Sequence, residues 1–171
     1  MPRRFEIGGR HGTSGRFKTG ARHGTSGHFE TTGAPETEAL GAGLAATLSA
    51  GEVVLVEGEL GAGKTTFVRG ACRALGVRGL VTSPTFTIGQ RYRAPVPVSH
   101  LDLFRVPGLV GEDPDLLADY LGPDTITFAE WPQGAEELLA GLARIAVRVR
   151  LEHGGGDRRL VQIAPSDVAG A

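Results

Sequence analysis

The sequence predicts an α/β domain built around a P-loop and closed by a C-terminal antiparallel hairpin. Three observations carry this. The apolar run Val53-Val54-Leu55-Val56 leads through Gly58-Glu59-Leu60-Gly61-Ala62-Gly63-Lys64-Thr65 into an amphipathic stretch, which is strand, glycine-rich loop and helix start in that order. Strand-like runs then alternate with helix-like ones along residues 86–141. Finally, Ile145–Leu151 and Leu160–Ile163 alternate apolar and polar residues on either side of Gly154-Gly155-Gly156-Asp157.

The chain has 171 residues, enough for one domain with a real core. It contains no apolar run of membrane-spanning length and no signal-like apolar N-terminus, so a cytoplasmic protein without membrane contact is expected. Its one cysteine, Cys72, lies among Phe67, Val68, Ala71 and Leu75, where core packing is expected. The net charge of −1 hides an asymmetry. Residues 1–28 carry six basic side chains against Glu6 alone, which leaves 12 basic and 18 acidic residues in the body. That acidic body does not have the charge of a nucleic-acid surface.

Residues 1–28 are expected to be a disordered, basic, glycine-rich tail. Arg10-His11-Gly12-Thr13-Ser14-Gly15-Arg16-Phe17 recurs twelve residues later as Arg22-His23-Gly24-Thr25-Ser26-Gly27-His28-Phe29. Such a tract buries too little apolar surface to offset its ordering entropy. A basic arm that touches RNA, or translation that starts further downstream, are the alternatives. The folded domain is placed at 29–165, with 166–171 as a short C-terminal tail.

Within the domain, Leu40, Leu44 and Leu48 recur at helical intervals, and Ser49-Ala50-Gly51 ends that helix before the P-loop strand. In the loop, Gly58, Gly61 and Gly63 let the backbone curl so that its N–H groups face phosphate oxygens. The dipole of the helix beyond adds positive potential at the same place. Lys64 is positioned to reach the outer phosphates, and the Thr65 hydroxyl to ligate Mg²⁺. This helix runs to about Leu75, capped by Gly76.

Gly79-Leu80-Val81 reads as a short strand. In Thr82-Ser83-Pro84-Thr85-Phe86 an ordinary turn competes with a nucleotide switch, and Thr85 is placed to sense the γ-phosphate or Mg²⁺. Strands are expected over about 86–93 and 96–103. Period-2 alternation puts His100 and Asp102 on one face, His100 orienting Asp102. Asp102, at a strand end, is where a P-loop fold holds the metal's water shell, an ion pair with Arg105 being the alternative. Asp113-Pro114 opens a helix to about Leu121.

Thr125–Glu130 reads as a strand with Ile126, Phe128 and Glu130 on one face, so Glu130 continues a buried face at a strand tip. It is assigned to the metal or the attacking water, against a plain edge residue. Trp131 either packs or covers the nucleotide. A short helix follows over Gly134–Gly141, then the hairpin.

Together the four motifs Gly58–Phe67, Ser83-Pro84-Thr85-Phe86, His100–Arg105 and Glu130-Trp131-Pro132 resemble the TsaE (YjeE) family, the small ATPase of bacterial tRNA threonylcarbamoyladenosine synthesis. The resemblance spans about residues 34–165. It implies a three-layer P-loop fold with a mixed central sheet, and Mg²⁺-ATP hydrolysis that is weak in isolation. The partners it implies are TsaD and TsaB, with tRNA reached only through that complex, which the hydrolysis resets between rounds. By position, residues 61–66 would bind phosphates, Thr65 and Glu130 would ligate Mg²⁺, Asp102 would support metal or water, and Trp131 would lie near the nucleotide. The family usually has Asp in place of Glu59 and Tyr in place of Phe104. A small-molecule kinase on the same loop is the runner-up, though neither an arginine-rich lid nor an acceptor pocket is visible in the sequence. A nucleotide-gated module without turnover is a third class. GTP is disfavoured, because Lys18 and Lys64 are the only lysines and neither lies in a guanine-reading [NT]-K-x-D context.

Overall fold

The computed structural model describes residues 15–16, 26–84, 87–104 and 115–166. The described strands are β1 (Gly15–Arg16), β2 (Ser26–Thr31), β3 (Glu52–Gly58), β4 (Gly89–Tyr92), β5 (Val98–Asp102), β6 (Ile126–Glu130), β7 (Arg144–His153) and β8 (Arg159–Pro165). They form one sheet in the order β1-β2-β8-β7-β3-β6-β5-β4. The four central strands β7, β3, β6 and β5 run parallel. The flanks are antiparallel, with β4 on β5 at one edge and β8, β2 and β1 beyond β7 at the other. The sheet is therefore mixed, and the C-terminal hairpin is β7–β8, as expected.

Helices α1 (Ala34–Ala45) and α2 (Lys64–Ala74) cover one face of the sheet; α3 (Asp115–Ala118) and α4 (Glu136–Leu142) lie on the other. The alternation of β3 sets this up. Val54 and Val56 join Leu40, Leu44, Phe67 and Val68 on the α1/α2 side, while Val53 and Leu55 join Leu117 and Leu139 on the α3/α4 side. A central parallel strand is buried on both faces, hence its uninterrupted apolar run.

Two glycines let α1 and α2 approach unusually closely. A Cβ added at Gly41 would come within 2.1 Å of the Phe67 carbonyl oxygen, and one at Gly70 within 2.0 Å of that of Glu38. Glu38 then ties the pair by accepting from Arg69 Nε at 2.8 Å and Arg73 Nη1 at 2.6 Å. This fixes α2, the helix that carries the P-loop side chains.

The structure corrects several expected boundaries. Strand β2 begins at Ser26, inside the stretch assigned to the tail, and Gly15-Arg16 pairs with it. Pairing of β2 with β8 runs through backbone groups, which glycine and serine supply as well as any residue. The first helix runs Ala34–Ala45, starting ahead of the Leu40 repeat with a proline in its first turn and ending before Leu48. Gly79–Val81 forms no strand: Val81 is buried, but Leu80 faces solvent and β4 pairs with β5 instead. Helix α3, described over Asp115–Ala118, ends before the expected Leu121, and its expected cap at Asp113-Pro114 lies outside the described residues. No helix among the described residues is long and apolar enough to cross a membrane.

Candidate functional site

After β3 the chain turns to β5 and β6 on one side; it later crosses to β7 on the other. The P-loop leaves β3 at this reversal of strand order, at the carboxyl ends of the parallel strands, where open α/β sheets bind ligands. Gly58 is required there: a Cβ on it would meet the Leu151 carbonyl oxygen at 2.4 Å, and its φ is +149°. Helix α2 begins at Lys64 with Gly63 as its N-cap, in the left-handed region and without a side-chain cap. Its first-turn amides thus receive no capping side chain, an arrangement suited to an anion.

The hairpin braces the outside of the loop. Arg159 Nη2 donates to the Gly61 carbonyl at 3.2 Å, and the His153 Nε2 lies 3.2 Å from the Leu60 carbonyl oxygen. Inside, Ala62 N–H donates to the Glu59 carbonyl at 3.1 Å. Lys64 is buried, and its ammonium donates to the Gly58 and Glu59 carbonyls, each at 2.8 Å. The third side of that ammonium lies 3.8 Å from the centre of the Trp131 ring. Burial pushes the lysine below its ordinary pKa, while the negative charges of Glu130 and Asp102 act in the opposite direction.

The acids come from neighbouring strands. Asp102 ends β5 and Glu130 ends β6, and the two are register partners. Glu130 is 2 % exposed. Its Oε1 accepts the Thr65 hydroxyl at 2.9 Å and lies 2.8 Å from Nε2 of the fully buried His100. Asp102 is held differently: the Ser83 hydroxyl donates to Oδ2, and the Phe104 N–H donates to Oδ1 at 3.1 Å. His100 therefore orients Glu130, not Asp102 as the alternation suggested. Sharing a face does not say which neighbour a side chain meets; β6 lies beside β5, so the imidazole reaches across to it.

The structure thus brings together Gly58, Gly61, Ala62, Gly63, Lys64, Thr65, Glu130 and Trp131 around one mouth, with Asp102 beside Glu130. Thr66 lies in the first turn of α2. Thr85 and Arg105 lie outside the described residues. Trp131 has φ +55° and packs against Phe104 at a 44° tilt, ring centres 4.6 Å apart, with its ring face toward the lysine. Beside the loop, toward β7, a cavity of about 520 Å³ is lined by residues including Glu57, Glu59, Trp131, Arg150 and His153.

A hydroxyl and two carboxylates form an all-oxygen donor set of the kind Mg²⁺ prefers. Among the described residues no three or more His, Cys, Asp or Glu side chains group to hold a metal.

Comparison with known proteins agrees with this architecture. A family model described as threonylcarbamoyl adenosine biosynthesis protein TsaE matches residues 31–161. The chain belongs to the TsaE family. It is 41 % identical to the tRNA threonylcarbamoyladenosine biosynthesis protein TsaE of Streptomyces coelicolor over 121 residues, 69 % of this chain and 80 % of that one. To the protein of the same name from Bacillus subtilis it is 36 % identical over 126 residues, covering 72 % and 76 % respectively. The crystal structure of YdiB from Bacillus subtilis superposes with a TM-score of 0.66 at 30 % identity, covering 84 % of this chain and 88 % of that one. In this TsaE-family chain, sequence reasoning missed the contacts of Ser83, His153 and Arg159. Ser83 stood inside the Ser83-Pro84-Thr85-Phe86 motif; nothing local marked His153 or Arg159, whose P-loop partners lie more than ninety residues away.

Proposed function

We propose that the protein is a Mg²⁺-dependent ATPase that serves the machinery making N6-threonylcarbamoyladenosine in tRNA. In this role it works with TsaD and TsaB and resets their complex between rounds. The observation that carries the reading is the chain Lys64–P-loop–Thr65–Glu130: a phosphate cradle whose first helical turn is bonded directly to a buried strand-end carboxylate. Family membership supplies the pathway.

The chain's residues divide the work. The loop amides and the N-terminus of α2 bind the phosphates. Lys64 leaves the Gly58 and Glu59 carbonyls and the indole of Trp131 to meet the outer phosphate oxygens, stabilising charge as the γ-phosphoryl group departs. Thr65 and Glu130 would hold Mg²⁺, which when bound neutralises charge on the β and γ oxygens. Asp102, fixed by Ser83 and the Phe104 amide, orients the water whose oxygen bonds to the γ-phosphorus as the bond to the bridging oxygen breaks, releasing ADP and phosphate. The Trp131 ring lies against the lysine the phosphates must reach, so it moves as nucleotide enters.

The test is phosphate release from ATP and from GTP by the full chain, alone and with TsaB and TsaD. Slow turnover of ATP, accelerated by the partners, is expected. No acceleration removes the partnership, and nucleoside- or sugar-dependent ADP release replaces the ATPase with a kinase.

A further inference from the structure

We infer that His100 is a positioning residue: its Nε2–H holds the Glu130 carboxylate against Thr65 and thereby sets the affinity of the site for the divalent cation. This role rests on the ATPase reading above. His100 is 0 % exposed and lies on β5 two residue pairs below the Asp102–Glu130 rung, on the face that meets α2. A carboxylate only accepts hydrogen bonds, so the 2.8 Å contact puts the ring proton on Nε2. Nδ1 has no hydrogen-bond partner among the described residues, so the contact with Glu130 is the ring's one polar contact there.

Packing alone does not account for such a side chain. A leucine would fill a fully buried position among Val98, Ile126 and Phe128 without leaving a polar nitrogen unsatisfied. The imidazole is useful there for the oxygen it grips. With Oε1 fixed by His100, and Thr65 Oγ1 at 2.9 Å from Oε1 and 3.3 Å from Oε2, hydroxyl and carboxylate are held facing each other as the two protein oxygens of a cation site. Asp102 has its own supports, Ser83 and the Phe104 amide, so the two acids are positioned independently.

The experiment compares the full-length protein with His100→Leu, which fills the space without a donor, and His100→Gln, whose terminal amide N–H reaches toward the Nε2 position. ATP affinity in EDTA, the Mg²⁺ concentration that half-saturates binding at fixed ATP, and turnover are measured for each by calorimetry and phosphate release. Folding is checked by unfolding midpoints. ATP affinity in EDTA is expected to stay the same in all three proteins. The Mg²⁺ half-saturation of His100→Leu should rise roughly 10–100-fold, as for lost supporting partners of metal ligands, and His100→Gln should recover most of it. In a Glu130→Gln background, His100→Leu should add nothing further. Unchanged Mg²⁺ dependence in His100→Leu, or equal losses in the Leu and Gln variants, overturns the role. Should His100→Leu fail to fold, the Gln variant alone decides: a Mg²⁺ requirement as high as that of Glu130→Gln overturns the role. Absence of any Mg²⁺-dependent ATP binding in the unmodified protein overturns the ATPase reading itself, and so separates the two failures.

Discussion

Glu57 and Glu130 end neighbouring parallel strands and are both buried, at 5 % and 2 % exposure, yet they meet opposite kinds of partner. Glu57 points to the α3/α4 side, where Arg148 and Arg150 both donate to it, and Arg148 continues to Glu136 on α4 at 2.7 Å. Glu130 points to the α1/α2 side and meets a hydroxyl and an imidazole, while the nearby Lys64 is engaged by loop carbonyls. The protein thus compensates one buried charge with its own arginines, and meets the other with a hydroxyl and an imidazole, the arrangement on which the proposed cation site rests. Burial alone does not mark a functional acid; the charge of its partners does.

The sharpest way to break this contrast is to remove each charge in turn. Glu130→Gln should lower ATP turnover by roughly 100-fold or more while some nucleotide binding persists, and Lys64→Ala should lose both. Glu57→Gln should show its larger loss in stability, about 2 kcal/mol by denaturant unfolding, because two arginines lose a charged acceptor. Their partial exposure keeps that figure modest. If the Glu57 and Glu130 variants lost turnover equally, the distinction between structural and functional acid would fall.

The grouping of the residues proposed for function was largely legible in the sequence. Lys64 and Thr65 come from contiguous residues whose spacing is dictated by phosphate geometry, and Glu130 and Asp102 from strand ends with an acid on a buried face. The structural half was not legible. Glu57 looks like any charge at the end of an apolar run, and only the placement of β7 beside β3 brings Arg148 and Arg150 to it. The true partner of His100 was hidden for the same reason, because alternation gives the face and sheet order gives the neighbour. The extra strand at Ser26 escaped because its pairing is made by the backbone, with only Phe29 and Thr31 buried along it.

A gentler probe shifts the helix that carries Thr65. Gly70→Ala should raise intrinsic helix propensity by about 1 kcal/mol, yet its Cβ would collide with the Glu38 carbonyl. The expected outcome is a net destabilisation of about 1–3 kcal/mol, read from the thermal or denaturant midpoint. Turnover by the folded fraction should drop as well, since a displaced α2 changes the position of Thr65 relative to Glu130. A stabilised Gly70→Ala protein would show that α1 and α2 are not in such close contact, and that Thr65 does not depend on it.

The smallest effect is expected at Arg159. Its guanidinium donates to Gly61, Gly156 and Arg158 carbonyls, so it ties the hairpin loop to the outer side of the P-loop. It meets a carbonyl oxygen of the loop, whereas the proposed phosphate contacts are loop N–H groups. Arg159→Ala should therefore loosen the cradle without removing a ligand, weakening ATP binding by about 1 kcal/mol or less. Because that loss is uniform binding, KM should rise while kcat stays near its original value. A fall in kcat comparable to that of Glu130→Gln would place the arginine on the reacting phosphoryl group, and the P-loop side of the site would then carry a catalytic cation besides Lys64.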